Sequence, residues 1–157
     1  MMRMNIEYIN PFIEASQIVI QNTANLQVKL GKVFVRNKPY DANIPLIEVG
    51  LIGKIQGKAA LSMQLPVAFE IISHMMMGMP VSQLDEIGKS ALSELANMIM
   101  GNTATILYNK GIGIDITTPT TVICDGAMLP PADMKTVSIP LLLDDRGSIE
   151  LDISVKE

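Results

Sequence analysis

The sequence predicts an α+β fold, with helices laid on an antiparallel sheet. Three observations carry that expectation. Residues 148–155 alternate strictly, with Ile149, Leu151, Ile153 and Val155 set against Glu150, Asp152 and Ser154. That pattern marks a strand with one buried face and one at least partly wetted. Two segments, around 66–77 and 84–109, carry apolar residues at helical spacing instead. The order along the chain is helix, strands, two helices, strands, and such segregated runs give an α+β domain.

Each element has its own signals. Asn10-Pro11 reads as an N-cap and first-turn proline. Phe12, Ile13, Ala15, Val19 and Ile20 continue that helix to about Asn22, and a start near Asn5 also fits. "LQVKLGKVFVR" (26–36) alternates as a strand, and "NKPYDANIP" is a loop. "LIEVGLIGKI" and "KAALSMQL" form a hairpin about Gln56-Gly57. Pro66 opens a second helix, which Gly78 and Pro80 close. A third starts after Ser82 or Gln83, runs to about Asn109 and stops at Gly111. "IGIDITT" places Ile112, Ile114 and Ile116 on one face, Pro119 breaks it, and "TTVIC" is a further short strand. "TVSIPLLL" and "SIELDISV" make a terminal hairpin around "DDRG". With no linker or low-complexity tract, residues 1–157 read as a single domain.

Composition narrows the function classes. The 157 residues are 48% hydrophobic, enough for a real core. The net charge is -4 and the 12 Lys and Arg form no basic run, which argues against a nucleic-acid footprint. One cysteine, Cys124, rules out a disulfide framework within the monomer and suits a reducing compartment. No apolar run approaches the ~18 residues of a membrane span. Glu7, Asn10 and Glu14 interrupt any signal-peptide core behind Arg3. The expectation is a soluble, cytoplasmic protein with no membrane contact.

The third helix carries the most information. At roughly 100° per residue, Leu84, Ile87, Ala91, Leu95, Met98 and Ile106 gather on one side as the expected core stripe. Ser90, Glu94, Asn97 and Gly101 form a second stripe within roughly 60° of arc. A carboxylate and a carboxamide thus sit side by side on a ridge, with a glycine one turn on. Solvated surface is the plain reading of such a stripe. A binding ridge is the other reading, and Gly101, at about 0.8–1 kcal/mol against alanine in a helix interior, then implies close approach of another body. Gly101 could equally be a packing glycine.

At these residues the sequence resembles the CheX branch of the CheC/CheX/FliY family of chemotaxis phosphatases. The resemblance rests on Ser90, three residues, Glu94, two residues, Asn97, and then Pro119 after twenty-one more. The flanks "MMMGMPVSQLDEIGKSALSELANMIMG" and "GIDITTPT" are similar to the family as well. The full pattern of Ser, Glu, Asn and distant Pro occurs on one helix alone, as in CheX rather than CheC. The resemblance implies a CheC-like fold: an antiparallel sheet with two long helices packed on one face, and dimers joined edge to edge. It implies a phosphatase of the aspartyl phosphate on CheY-type response regulators. Asn97 would orient the attacking water and Glu94 would pair with the regulator's lysine, with Ser90, Gly101 and Pro119 as partner-binding positions. It implies no cofactor in this chain, with Mg²⁺ held by the regulator. A non-catalytic module that docks a regulator or belongs to the flagellar switch is the alternative.

Other features point nowhere else. "SHMMMGMP" (73–80) could suggest soft-metal ligands, but consecutive methionines on a helix diverge, and methionine is a common core or interface filler. His74 lacks a nucleophile motif. Cys124 reads as a small buried apolar residue. "GKS" at 88–90 lacks the glycine-rich loop of a phosphate site and lies within a helix.

Overall fold

The computed structural model describes residues 6–156. Among them are three helices, α1 (Ile6–Ala24), α2 (Leu65–Met75) and α3 (Glu86–Asn109). Eight strands form one sheet: β1 (Lys29–Leu30), β2 (Phe34–Val35), β3 (Pro45–Gly53), β4 (Gly57–Met63), β5 (Ile114–Ile116), β6 (Thr120–Ile123), β7 (Met134–Leu142) and β8 (Ser148–Lys156). Their order is β1-β7-β8-β4-β3-β5, with β2 also on β7 and β6 also on β3, and every pairing is antiparallel.

Alternation along the four long strands builds the core. Ile47 and Val49 of β3, Leu61 of β4, Ile139 of β7 and Leu151 of β8 point to one face, where they meet α1, α2 and α3. The two long helices are α1 and α3, which pack against each other, while α2 is an eleven-residue connector between sheet and α3. These agree with the expected CheC-like α+β arrangement and its N-terminal helix.

Several boundaries differ from the sequence expectations. Pro11 lies inside α1, more than a turn beyond its first residue, rather than at the first turn. A proline there forfeits one helical hydrogen bond, but Tyr8 and Ile9 of the preceding turn pack on the core and hold that turn in place. The alternative start near Asn5 lies outside the described residues. α3 starts later than Ser82 or Gln83: Asp85 is its N-cap, its Oδ1 accepting from the Gly88 amide at 2.8 Å. Cys124 is buried, as expected, just past the end of β6.

Both sheet edges are bulged, and the first was read as simple alternation. The register runs Leu30↔Leu141 and Phe34↔Ser138, so three steps on β7 match four on the edge. Gly31 sits at this bulge because a Cβ there would come within 2.8 Å of Pro140 Cβ. At the other edge Leu51↔Ile116 and Glu48↔Thr120 again set three steps on β3 against four. An inserted residue of this kind bends an edge and re-aims the side chains beyond it. Pro119 lies between β5 and β6, the break and further short strand expected from the sequence. It sits in the bulged connection between these two edge strands, where proline is tolerated.

The outer sheet face is only partly wet, with Glu150 keeping some exposure. Asp152 and Ser154 are buried. Residues 34–44 cross this face and deliver Arg36, whose Nε donates to Asp152 Oδ2 at 2.7 Å and whose guanidinium also pairs with Glu150. The Tyr40 hydroxyl donates to the same Asp152 oxygen at 2.5 Å. Burial, followed by the Asp152 charge and this hydrogen bond, pushes the Tyr40 phenol far above its usual range. Tyr40, Ile44, Leu46, Ala60 and Cys124 form a second, smaller core beside this cluster.

Candidate functional site

The side of α3 that faces the core is not the one the apolar count suggested. The buried positions are Gly88, Leu92, Leu95, Ala96, Ile99, Met100, Thr103 and Leu107. Of the expected stripe only Leu95 is fully buried; Ala91, Met98 and Ile106 are half-buried and Ile87 is 62% exposed. The true stripe is rotated by about 100°, one residue's turn on a helix. Small side chains explain the difference. Gly88 and Ala96 let neighbours approach, and a Cβ at Gly88 would lie 3.3 Å from Ile72 Cδ1. Thr103 satisfies its buried hydroxyl on the Ile99 carbonyl at 2.8 Å. Because of this rotation, the stripe of Ser90, Glu94, Asn97 and Gly101 lies nearly opposite the core, further from it than the sequence suggested.

Ser90, Glu94 and Asn97 line one wall of an open cleft of about 580 Å³. Thr118, Pro119 and Thr121 of the bulged edge line the other, and Glu86, Lys89 and Ser93 complete it. The fold thus brings Ser90, Glu94, Asn97 and Pro119 together across twenty-one intervening residues. Gly101 does not line the cleft. It sits one turn beyond Asn97 on the same stripe, and a Cβ there would meet no heavy atom within 4 Å. The packing-glycine reading of Gly101 therefore has no neighbour to support it.

Glu94 and Asn97 are both exposed, and among the described residues neither side chain has a hydrogen-bond or ion-pair partner. Lys89, in contrast, has its ammonium 3.4 Å from Glu86 Oε1. An unengaged carboxylate can receive a cation, and an unengaged carboxamide can both donate to and accept from a water molecule. The arrangement is suited to docking a protein surface and orienting a small molecule at its centre, without covalent participation.

Sequence reasoning missed Ser93, Thr118 and Thr121. Ser93 had a helical signal, since it falls on the shoulder of α3 between core and stripe. The two threonines had none, because their direction depends on the bulge. The methionine run divides: Met75 and Met76 pack against the core, while Met77 and Met79 are exposed. His74 lies beside Glu70, with Nε2 3.3 Å from Oε1, away from the cleft.

Helices on one face of an antiparallel sheet, with an ExxN cleft at one edge, place the chain among CheC-like proteins. It is similar to a CheC-like superfamily protein from Shewanella sp. PV-4, with a TM-score of 0.87 at 24% identity over 98% of this chain and 100% of that chain. More narrowly, the family described as "Chemotaxis phosphatase CheX" matches residues 46–142, and the chain belongs to that family. It is 29% identical to the CheY-P phosphatase CheX of Thermotoga maritima over 154 residues, 98% of each protein. It is also similar to a chain in the crystal structure of the CheX-CheY-BeF3-Mg²⁺ complex from Borrelia burgdorferi, with a TM-score of 0.82 at 25% identity over 98% of this chain and 100% of that chain.

Proposed function

We propose that this chain hydrolyses the aspartyl phosphate of CheY-type response regulators, with Asn97 orienting the water and Glu94 docking the regulator. The observation that carries the reading is the pair of unengaged polar groups, Glu94 and Asn97, on the wall of a cleft faced by Pro119. Its placement in a CheX family member supports the choice of substrate, as does the naming of the Thermotoga relative as a CheY-P phosphatase.

The chemistry asks little of the protein beyond geometry. Water oxygen forms a bond to phosphorus as the bond to the aspartyl oxygen breaks. The electron pair leaves on the regulator's carboxylate, and the water protons end on inorganic phosphate and solvent. The transition state is loose, so in-line placement of the water dominates the rate. A neutral carboxamide can supply that placement without adding negative charge beside a phosphoryl group. The Glu94 carboxylate pairs with a lysine of the regulator, which sets the docking register. Mg²⁺ belongs to the regulator in this reading.

The same reading puts the protein in the cytoplasm, in keeping with the absence, among the described residues, of any helix long and apolar enough to cross a membrane. We also assign it a homodimer joined at a sheet edge. Support comes from the β1–β2 edge, where Leu30, Val33, Phe34 and Val35 are all more than 40% exposed.

The deciding experiment is phosphate loss from a CheY-type regulator charged with acetyl phosphate, with and without this protein. Acceleration is expected. Asn97→Ala should lower it at least a hundredfold with an unchanged melting temperature, since the side chain fills no core volume. Glu94→Ala should weaken docking as well as rate. Binding without acceleration by the wild type would replace this reading with a non-catalytic regulator-binding or flagellar-switch module.

A further inference from the structure

The helix serines and threonines whose hydroxyls make hydrogen bonds do so in two ways. Ser16, Thr103 and Thr105 turn back to the carbonyl four residues earlier, on Phe12, Ile99 and Gly101. That is the usual resort of a hydroxyl inside a helix. Ser93 instead reaches across to the edge strand, its Oγ 2.9 Å from Thr121 Oγ1. It lies immediately before Glu94 and, on the other wall, Thr121 lies two residues past Pro119.

Thr121 can meet it only because of the bulge. Ahead of the bulge, Ile114 and Ile116 face the helices. An unbroken alternation would send Thr118, Thr120 and Val122 the same way. The extra residue reverses the parity. Thr121 now sits beside Ile47 on the helix side, while Val122 and Cys124 turn into the smaller outer core. The near end of the bulge is pinned separately. The Thr117 amide donates to Gly50 O at 3.0 Å, and the Gly50 amide donates to Thr117 Oγ1 at 2.7 Å. Gly50 has no side chain where one would come within 2.9 Å of Thr117 Cγ2. The Thr118–Pro119 arch is therefore braced to the sheet at one end and to α3 at the other.

We propose that Ser93 and Thr121 are positioning residues: their hydrogen bond clamps the bulged edge to α3 and so fixes how far Pro119 stands from Glu94 and Asn97. The inference rests on the phosphatase reading and adds a reason for the second wall. A regulator that touches both walls is oriented by the gap between them. Asn97 then needs no search to place the water in line, and small displacements in such geometry are costly.

The test uses the charged regulator and four variants: Ser93→Ala, Thr121→Val, their combination, and Thr121→Ser. Each single change that removes the hydrogen bond should lower kcat about tenfold and alter KM less than threefold. The combination should be no worse than either single change, because one bond is lost in every case. Thr121→Ser keeps the hydroxyl and should recover most of the rate. Wild-type kcat in the single variants, additive losses in the double variant, or no recovery with serine would each overturn the clamp. Lack of acceleration by the wild type overturns the phosphatase reading itself and is seen in the first arm. If Thr121→Val does not fold, Ser93→Ala carries the test, since alanine favours the helix.

Discussion

At both edges of the sheet a strand gains one residue on its neighbour: between Leu30 and Phe34 against β7, and between Ile116 and Thr120 against β3. The device is the same, but the coverings differ. On the first edge the bulge turns Phe34 and Arg36 to the outer face, where Arg36 is buried over Asp152. Leu30, Val33 and Val35 are left showing about half their surface. On the second edge α3 lies over the bulge, and the re-aimed residues Pro119 and Thr121 become the wall of a cleft. A bulge alone makes no site. It becomes one where a helix carrying unengaged polar groups crosses it.

The sharpest way to break this comparison is to dismantle the first edge while leaving the second intact. Arg36→Ala should destabilise the protein by about 3–5 kcal/mol, because it leaves the buried Asp152 carboxylate without its cation. Chemical denaturation reads this directly. The folded fraction should keep full activity in the cleft, which is built from other elements. A loss below about 1 kcal/mol would mean that the Arg36 cluster does not hold residues 34–44 across the sheet.

Tyr40 makes a second test of the same cluster through pH. Its phenol is raised in the folded protein, first by burial and then by Asp152. A raised acid stabilises the fold fully below the unfolded pKa and loses that contribution as pH climbs. The unfolded chain ionises its tyrosines near ~10. Stability should therefore fall above about pH 10, by as much as ~1.4 kcal/mol per pH unit from this residue. Tyr40→Phe should flatten that alkaline slope, and parallel slopes for the two proteins would remove Tyr40 as its cause.

The contrast between the edges also marks what the sequence could and could not show. Element order was legible because helices and strands of this chain differ in period, and the long strands β7 and β8 alternate cleanly. Glu94 and Asn97 were legible because helical spacing maps directly onto a face. The core side of α3 was not, since Gly88, Ala96 and Thr103 are buried there while Ile87 is exposed, and an apolar count weighs these the wrong way. Thr121 was illegible for a different reason. Period-two alternation cannot register an inserted residue, so the sequence assigns no face to the side chains past Pro119. The burial of Asp152 depended on Arg36 and Tyr40, more than a hundred residues earlier in the chain.

Self-association should depend on the first edge and not the second. Val33→Lys puts a charge at the exposed bulge, one of the ways natural edges avoid pairing. We expect the proposed homodimer to weaken at least tenfold by light scattering across a concentration series, with the rate per cleft unchanged. Loss of activity in step with dimer dissociation would show that the two edges are coupled, and that the cleft needs a second copy.

The smallest effect is expected at Gly101, where it separates the helix from its partner. Nothing lies within 4 Å of a Cβ placed there. Gly101→Ala should therefore raise stability by about 0.8–1 kcal/mol, the ordinary gain for alanine in an open helix position. If the regulator passes along the whole stripe, it must come close to this turn after receiving Asn97. Gly101→Ala should then weaken binding two- to threefold and Gly101→Leu about tenfold, while both variants melt no lower than the wild type. A stability gain with unaltered affinity in both would end the docking footprint at Asn97. It would also make Gly101 dispensable to the second edge, leaving Ser90, Glu94, Asn97 and the Pro119 arch to define the contact.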